Sequence, residues 1–137
     1  MTSQPKEIVR SFVEQYQEQR DSRAFTEFLS AKVVDHTPMP GTSPGAEGVR
    51  QVFEMLWAAL PDMRVEVHQM VAEGETVVTR KSFVGTHRGE LFGVPPTGKS
   101  VRLDLIDIVR VSEGKIVEHW NIVDSMGLMR QLGAAPA

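Results

Sequence analysis

The chain has 137 residues, a formal net charge of −3 and a sequence pI near 5.8, with 41% hydrophobic and 24% charged residues. These values are typical of a single globular domain, which we place at residues 1–137. A domain of this size is expected to bury its core without covalent cross-links. The acidic balance and the lack of a basic cluster argue against nucleic-acid binding. The absence of cysteine excludes thiol nucleophiles and thiolate metal sites.

The start of the chain, residues 1–7, has neither the basic region nor the apolar stretch of a secretory signal. No apolar run is long enough to cross a bilayer. We therefore expect a cytoplasmic protein with no membrane partner.

Three amphipathic helices are predicted in the first half of the chain. Pro5 can begin the first helix, and the apolar residues after it recur at helical spacing. A second, shorter helix follows Asp21 or Ser22 as N-cap. A third begins at Ser43 as N-cap and ends before Pro61, because proline cannot continue a helix.

From residue 64 onward the apolar period changes from helical to two, which predicts β-strands. Four strands are expected, at residues 64–71, 76–86, 101–111 and 116–123. A brief extended segment precedes them at residues 33–37, and Asp124 can cap a final helix. Glycines and prolines at residues 89–99 prevent ladder pairing, so we expect a loop over a pocket mouth. Helices followed by antiparallel strands predict an α+β fold, in which the helices pack on one face of a curved antiparallel sheet and leave a cone-shaped cavity.

The last two strands carry the most informative polar residues. A three-residue loop at 112–114 would set Asp107 directly opposite His119. Alternation places both side chains on one face together with Asn121. The aliphatic residues predicted on that face are Leu105, Val109 and Val117. An acid, an imidazole and an amide among aliphatic neighbours predict the floor of a pocket.

Five segments together resemble the SnoaL-like polyketide cyclases, a branch of the NTF2-like superfamily. They are VDH at 34–36, GAEGV at 45–49, THRGELFGVPPTGK at 86–99, EGKIVEHW at 113–120 and GLMRQLG at 127–133. The resemblance implies an NTF2-like cone-shaped α+β barrel with a deep apolar cavity, forming a homodimer through the outer face of its sheet. It also implies an intramolecular aldol ring closure in a polyketide ester, with no metal or organic cofactor.

The resemblance has two departures, both at the centre of the site. In those cyclases an aspartate stands at the position of Asn121 and acts as the acid/base, and a histidine stands at the position of Asp107. An amide cannot take up a proton at neutral pH. The resemblance therefore implies Asp107 and His119 as the catalytic proton-handling pair, titrating together, with Asn121 binding a carbonyl or enolate oxygen. An equally weighted alternative is a cross-strand pair that only stabilises the sheet.

Further candidates for substrate binding surround the predicted cavity: His36, Phe53, Trp57, Arg80, Phe92 and Leu105. The aromatic ones also suit a purely structural role. The alternative role for His36 is that of a turn residue. Alternation directs only one of Arg80 and Lys81 toward the cavity. The spacing of His68 and His87 does not match a metal-ligand motif, so we expect no metal site.

The sequence thus favours a cofactor-free enzyme of the polyketide cyclase type acting on a small apolar carbonyl compound or ester. Two alternatives stay open. One is a relative on the same fold that hydrolyses epoxides, isomerises or hydroxylates, with Arg80 assisting epoxide opening. The other is a non-catalytic protein that binds a small apolar ligand, which the loss of the family's aspartate favours. Trp120 and Ile122 face away from Asn121, and this apolar outer face predicts a homodimer.

Overall fold

The computed structural model describes residues 4–134; residues 1–3 and 135–137, including part of the segment inspected for a secretory signal, lie outside the described residues. Helices and strands are numbered in chain order. The helices are α1 Pro5–Phe12, α2 Ser22–Phe28, α3 Ala46–Ala59 and α4 Ser125–Leu132, and a π-helical turn, Val13–Glu18, continues α1. The strands are β1 Leu29–Asp35, β2 Arg64–Glu73, β3 Thr76–Thr86, β4 Ser100–Ser112 and β5 Lys115–Val123. Within residues 4–134, every helix is too short or too polar to cross a bilayer.

The five strands form one sheet in the order β1-β5-β4-β3-β2. Strands β2 to β5 pair antiparallel, as predicted, and the α+β class is confirmed. The expectation of a wholly antiparallel sheet is wrong, because β1 pairs with β5 in parallel and sets Asp35 beside His119. The apolar period of a short segment does not reveal a partner strand more than eighty residues away, so this pairing was not predicted.

The start of α3 differs from the predicted N-cap. The helix begins at Ala46, and Gly45 is its extended N-cap residue, yet Ser43 still accepts a hydrogen bond from the Gly48 N–H through its Oγ, at 3.0 Å. A Cβ at position 48 would overlap the Ser43 carbonyl group, so this close approach requires glycine. The Ser43 side chain thus caps the helix from two residues further out than expected.

The hairpin between β4 and β5 has a tighter turn than predicted. Glu113 and Gly114 form a two-residue turn with φ of 51° and 77°, the pattern of a type I′ turn. Beyond the turn, Val111 pairs with Ile116, whereas Arg110 pairs with Glu118. One residue of β5, at position 117, is therefore bulged out of the ladder.

The turn and the bulge together change the register by two residues. Asp107 pairs with Asn121, and His119 pairs with Val109, so the predicted position of His119 directly opposite Asp107 is wrong. A shift of two preserves the face of each side chain, because the side-chain period of a strand is two. Between the bulge and the turn, the side chains of β5 exchange faces. Ile116 therefore lies in the cavity wall, in the inward position that was predicted for Val117.

Helices α1 and α3 pack against one face of the sheet, which we call the inner face; the opposite one is the outer face. Inner-face positions of β4 alternate with exposed ones along the strand. A cavity of about 450 Å³ lies between the helices and the inner face. Its position between the two layers makes the inner face of β3, β4 and β5 one wall of any site within it.

Candidate active site

The cavity wall is largely aliphatic and aromatic. Representative side chains are Val9, Phe12, Val52, Leu56, Leu103 and Val109. Three of the predicted substrate-binding residues, Phe53, Phe92 and Leu105, also lie in this wall. A volume of about 450 Å³ falls within the range of small-molecule pockets. Polar side chains enter at one region, where β5, β4 and β3 meet the end of β1.

His119 lies between two carboxylates at this polar region. Its Nε2 is 2.8 Å from Asp107 Oδ1, and its Nδ1 is 3.0 Å from Asp35 Oδ1. The register shift makes Asp107 a diagonal neighbour of His119, and the side chains still reach each other. Because each ring nitrogen faces a carboxylate oxygen, both nitrogens carry hydrogen when both contacts are hydrogen bonds, and the ring is then an imidazolium.

The surroundings favour this charged form. Burial acts to lower the pKa of His119, but hydrogen bonds and charges from Asp107 and Asp35 outweigh it and raise the pKa to about 9. Burial acts to raise the pKa of Asp107, and the opposing effects of Lys81 and His119 hold it well below its usual range. Burial also acts to raise the pKa of Asp35, but the opposing effects of His119 and Thr37 are larger. The pKa of Asp35 therefore lies below its usual value.

Lys81 completes a row of alternating charges. Its ammonium lies 2.6 Å from Asp107 Oδ2 and donates to Gln17 Oε1 at 2.9 Å. The lysine is 2% exposed. Gln17 reaches it from the π-helical turn after α1, a type of distortion common at functional sites. We call Lys81, Asp107, His119 and Asp35 the charge chain; it contains two cations and two anions.

Three sequence-predicted residues lie elsewhere. Arg80 is exposed, because the inward positions of β3 are its odd-numbered neighbours. His36 is exposed and stacks on Trp120 with ring centroids 4.5 Å apart, since Asp35 takes the inward position before it. Trp57 is half-buried outside the cavity lining, and its Nε1 donates to a main-chain carbonyl of the π-helical turn at 3.1 Å. Their expected places at the cavity are wrong.

Asn121 lies in the cavity wall and is oriented by Thr37. The Thr37 hydroxyl accepts from the Asn121 backbone N–H at 2.8 Å and donates to Asn121 Oδ1 at 3.0 Å. With the amide oxygen satisfied in this way, its NH₂ group is left to donate to another acceptor. The backbone N–H of Thr37 donates to Asp35 Oδ1 at 3.0 Å, so one threonine positions both an amide and a carboxylate.

Sequence reasoning missed Asp35, Thr37 and Gln17. Asp35 belongs to one of the segments that carried the family resemblance, in which the predicted site residue was the neighbouring His36. The signal that would identify Asp35 is alternation in β1 combined with its parallel pairing to β5. No local pattern identifies Gln17, because its inward direction depends on the π-helical turn.

The remaining histidines lie outside the cavity lining. His68 Nε2 is 2.8 Å from Ser82 Oγ. His87 is fully buried, and its Nδ1 accepts from the Thr97 backbone N–H at 3.1 Å. In the part of the chain that the structure describes, His, Asp and Glu side chains form no cluster of three suited to a metal ion.

The arrangement is suited to proton transfer next to an apolar substrate. Carboxylates can accept a proton from carbon, and an amide NH₂ can stabilise an oxygen on which negative charge develops. An apolar substrate bound against this wall would displace water from around these groups, which would strengthen each electrostatic contact.

The chain is similar in sequence and fold to several known proteins. The aklanonic acid methyl ester cyclase DnrD of Streptomyces peucetius is 29% identical over 132 residues, covering 93% of this chain and 89% of the relative. The crystal structure of IdmH, a putative polyketide cyclase from Streptomyces antibioticus, is similar with a TM-score of 0.84 and 34% identity, covering 96% of this chain and 99% of that one. AclR, a putative hydroxylase from Streptomyces galilaeus, gives a TM-score of 0.83 and 28% identity, covering 97% and 83%. The sequence profile of the SnoaL-like polyketide cyclases matches residues 7–132. This chain belongs to the SnoaL-like polyketide cyclase family.

Proposed function

We propose that this protein is a cofactor-free cyclase that closes a ring in a small apolar polyketide ester by an intramolecular aldol-type reaction. The observation that carries the proposal is the charge chain at one end of an otherwise apolar cavity. The relative named as an aklanonic acid methyl ester cyclase supports a methyl ester of this kind as the substrate class.

The proposed reaction moves one proton and forms one carbon–carbon bond. A carboxylate of the charge chain removes a proton from carbon next to a carbonyl, and the resulting enolate attacks a second carbonyl of the same molecule. The new alkoxide then receives the proton, so the product has the composition of the substrate. Asp107 and His119 form the centre of the proton-handling network, and Asn121 donates to the enolate oxygen.

The cavity wall contributes by positioning. Phe53, Phe92 and Leu105 contact the apolar body of the substrate and hold its two reacting carbons near each other. Such positioning converts a rare encounter within a flexible chain into a preorganised one. Displacement of water from the cavity also protects the enolate from protonation by solvent.

Incubation of the purified protein with aklanonic acid methyl ester and a panel of related polyketide β-keto esters tests the proposal. The buffer contains EDTA and no added cofactor. We expect a product of unchanged mass whose NMR spectrum shows the new ring. Asp107→Asn should abolish turnover, and Asp104→Asn, on the outer face of the same strand, is the matched control. Absence of ring closure, or an Asp107→Asn variant as fast as wild type, contradicts the proposal.

Hydroxylation is a second candidate reaction, favoured by the similarity to AclR. It would appear in the same incubation, with the required oxidant and cofactors added, as a product that has gained one oxygen atom. Epoxide opening has less support than the sequence suggested, because Arg80 is exposed and Lys81, which takes the inward position, is already paired with Asp107. Binding of the esters with no conversion would favour a non-catalytic ligand carrier.

We also propose a cytoplasmic homodimer formed through the outer face. This face exposes three isoleucines, Ile106, Ile108 and Ile122, the last of which is 80% exposed. Apolar area of this kind on a sheet is suited to burial against a second copy. Sedimentation equilibrium should give twice the chain mass for wild type and the chain mass for Ile122→Glu. A monomeric wild type at micromolar concentration would contradict the dimer.

A further inference from the structure

We propose that Asp35 is the general base, the catalytic residue that removes the proton from carbon, in place of the aspartate that the family carries at the position of Asn121. The inference rests on the proposed cyclase function and assigns its first chemical step. It comes from the way the two buried carboxylates of the charge chain use their oxygens.

Asp35 uses only one of its oxygens for contacts with the protein. Its Oδ1 accepts from the Thr37 backbone N–H at 3.0 Å, lies 3.0 Å from His119 Nδ1, and has the Thr37 hydroxyl at 3.5 Å. Its Oδ2 has no hydrogen-bond partner among residues 4–134. Asp35 lies in the cavity wall, and its side chain is 10% exposed. One oxygen therefore fixes the carboxylate, and the other is available to a substrate.

Asp107 is different, although it lies in the same wall. Its Oδ1 is 2.8 Å from His119 Nε2, and its Oδ2 is 2.6 Å from the Lys81 ammonium. Protonation of Asp107 would disrupt two buried ion pairs and displace a cation from whichever oxygen takes the proton, whereas protonation of Asp35 at Oδ2 would weaken only its pair with His119. Asp107 is therefore suited to keeping His119 charged and to holding His119 and Lys81 in place, rather than to accepting the substrate proton.

Thr37 places the proposed base next to the amide that binds oxygen. It donates to Asp35 Oδ1 through its backbone and to Asn121 Oδ1 through its hydroxyl. In an enolisable ester or ketone, the carbon that loses a proton is bonded to the carbonyl carbon whose oxygen gains charge. The base and the oxygen-binding donor must then be neighbours, which is the relation that Thr37 enforces.

The step balances within the substrate and Asp35. The Oδ2 lone pair takes the proton, and the electrons of the C–H bond form the enolate, whose oxygen accepts from the Asn121 NH₂. The enolate carbon attacks the second carbonyl, and the alkoxide takes the proton back from the Asp35 carboxylic acid. An apolar substrate also displaces water from Oδ2, and this desolvation makes the carboxylate a stronger base.

Asp35→Asn and Asp35→Ala test the assignment, with aklanonic acid methyl ester as the probe. Asp35→Asn keeps an acceptor for Thr37 and His119 but removes the base, so kcat should fall by about 10²–10⁴-fold, the usual contribution of a general base, with KM little changed. Added formate should restore much of kcat in Asp35→Ala, because a small carboxylate can occupy the vacated space. Asp107→Ala is the matched comparison and should gain nothing from formate.

Each outcome decides between a catalytic and a positioning role. An Asp35→Asn enzyme whose kcat stays within about 10-fold of wild type overturns the assignment, as does equal rescue of both alanine variants by formate. Product titration and thermal unfolding establish that each variant is folded and binds. An inactive wild type overturns the proposed function and this inference with it, whereas an active wild type with an active Asp35→Asn variant overturns the inference alone.

Discussion

The two faces of β4 carry ion pairs of similar length in very different surroundings. On the inner face, Asp107 lies 2.6 Å from Lys81, and their side chains are 12% and 2% exposed. On the outer face, Asp104 lies 2.8 Å from Arg102, and theirs are 55% and 49% exposed. Water screens the outer pair, so it adds little to stability. The inner pair has lost its water, so each charge depends on its partner.

The contrast extends to the rest of each face. The inner face keeps the charge chain inside an apolar cavity, whereas the outer face exposes isoleucine side chains at positions 106, 108 and 122. Buried charges and exposed apolar clusters are the informative exceptions to ordinary patterning. The buried charges of the inner face are the groups to which we assign proton transfer. The exposed isoleucines of the outer face are those to which we assign the dimer contact.

Removal of Lys81 should break the inner face most severely. Lys81→Met leaves Asp107 Oδ2 buried without its cation, with only His119 still paired to the carboxylate, and loss of one partner of a buried pair typically destabilises a protein by about 3–5 kcal/mol. Urea unfolding followed by circular dichroism measures this directly. A loss no larger than that of an exposed pair would show that water reaches Asp107.

Replacement of Asn121 should sharpen the functional side of the comparison. Asn121→Ala removes the donor for the enolate oxygen, and loss of one such donor typically lowers kcat by about 10²–10³-fold. The free energy of unfolding should change much less than in the lysine variant, because the residue is only half-buried. Steady-state kinetics with the ester panel gives the result. Thr37→Val, which frees the amide to rotate, should lower kcat by a smaller factor, and an unchanged kcat in both variants would contradict the role of Asn121.

The inner face should also respond to pH above neutrality. The pKa of His119 is raised from 6.5 to about 9, with Asp35 and Asp107 facing the ring and Lys81 facing Asp107. Its stabilising contribution is fully present below pH 6.5 and is lost as the pH rises through about 9, at about 1.4 kcal/mol per pKa unit. The carboxylates act oppositely, stabilising the fold above pH 3.8 and losing that effect as the pH falls.

Urea unfolding at a series of pH values checks this expectation. Wild-type stability should decline between pH 6.5 and 9.5, whereas His119→Gln should lack that decline. Parallel profiles for the two proteins over this range would show that His119 is not the titrating group.

The smallest effect is expected on the outer face. Arg102→Met removes the cation beside Asp104 but leaves that carboxylate hydrated, so we expect a loss of about 0–1 kcal/mol, as for other exposed pairs. The same urea experiment provides the measurement. A loss as large as that of Lys81→Met would remove the distinction between the two faces.

The sequence predicted most of the fold because its signals are local. Alternation gave β3 its observed bounds, Thr76–Thr86, and Asp124 caps α4 by accepting from the Gly127 N–H at 2.9 Å. The hairpin register was wrong by two residues, since a bulge leaves no clear mark in the apolar pattern. The faces of Asp107 and His119 were nevertheless correct, because a shift of two preserves the face.

The candidate site was only partly predictable because its key contacts are non-local. Asp35 meets His119 through a parallel pairing across 84 residues, and Gln17 meets Lys81 across 64. Alternation alone could not choose between Arg80 and Lys81, since both phases of β3 were plausible. The charge chain therefore depends on how the π-helical turn, the edge strand β1 and the β4–β5 hairpin pack together, which no local sequence pattern specifies.

The charge on His119 tests the account most directly, because the whole charge chain depends on it. Nitrogen-15 NMR of the imidazole should show both nitrogens protonated at pH 7 and a single titration centred near pH 9. A neutral ring at pH 7, titrating at or below pH 6.5, would contradict the charge chain and the roles assigned to Asp35 and Asp107.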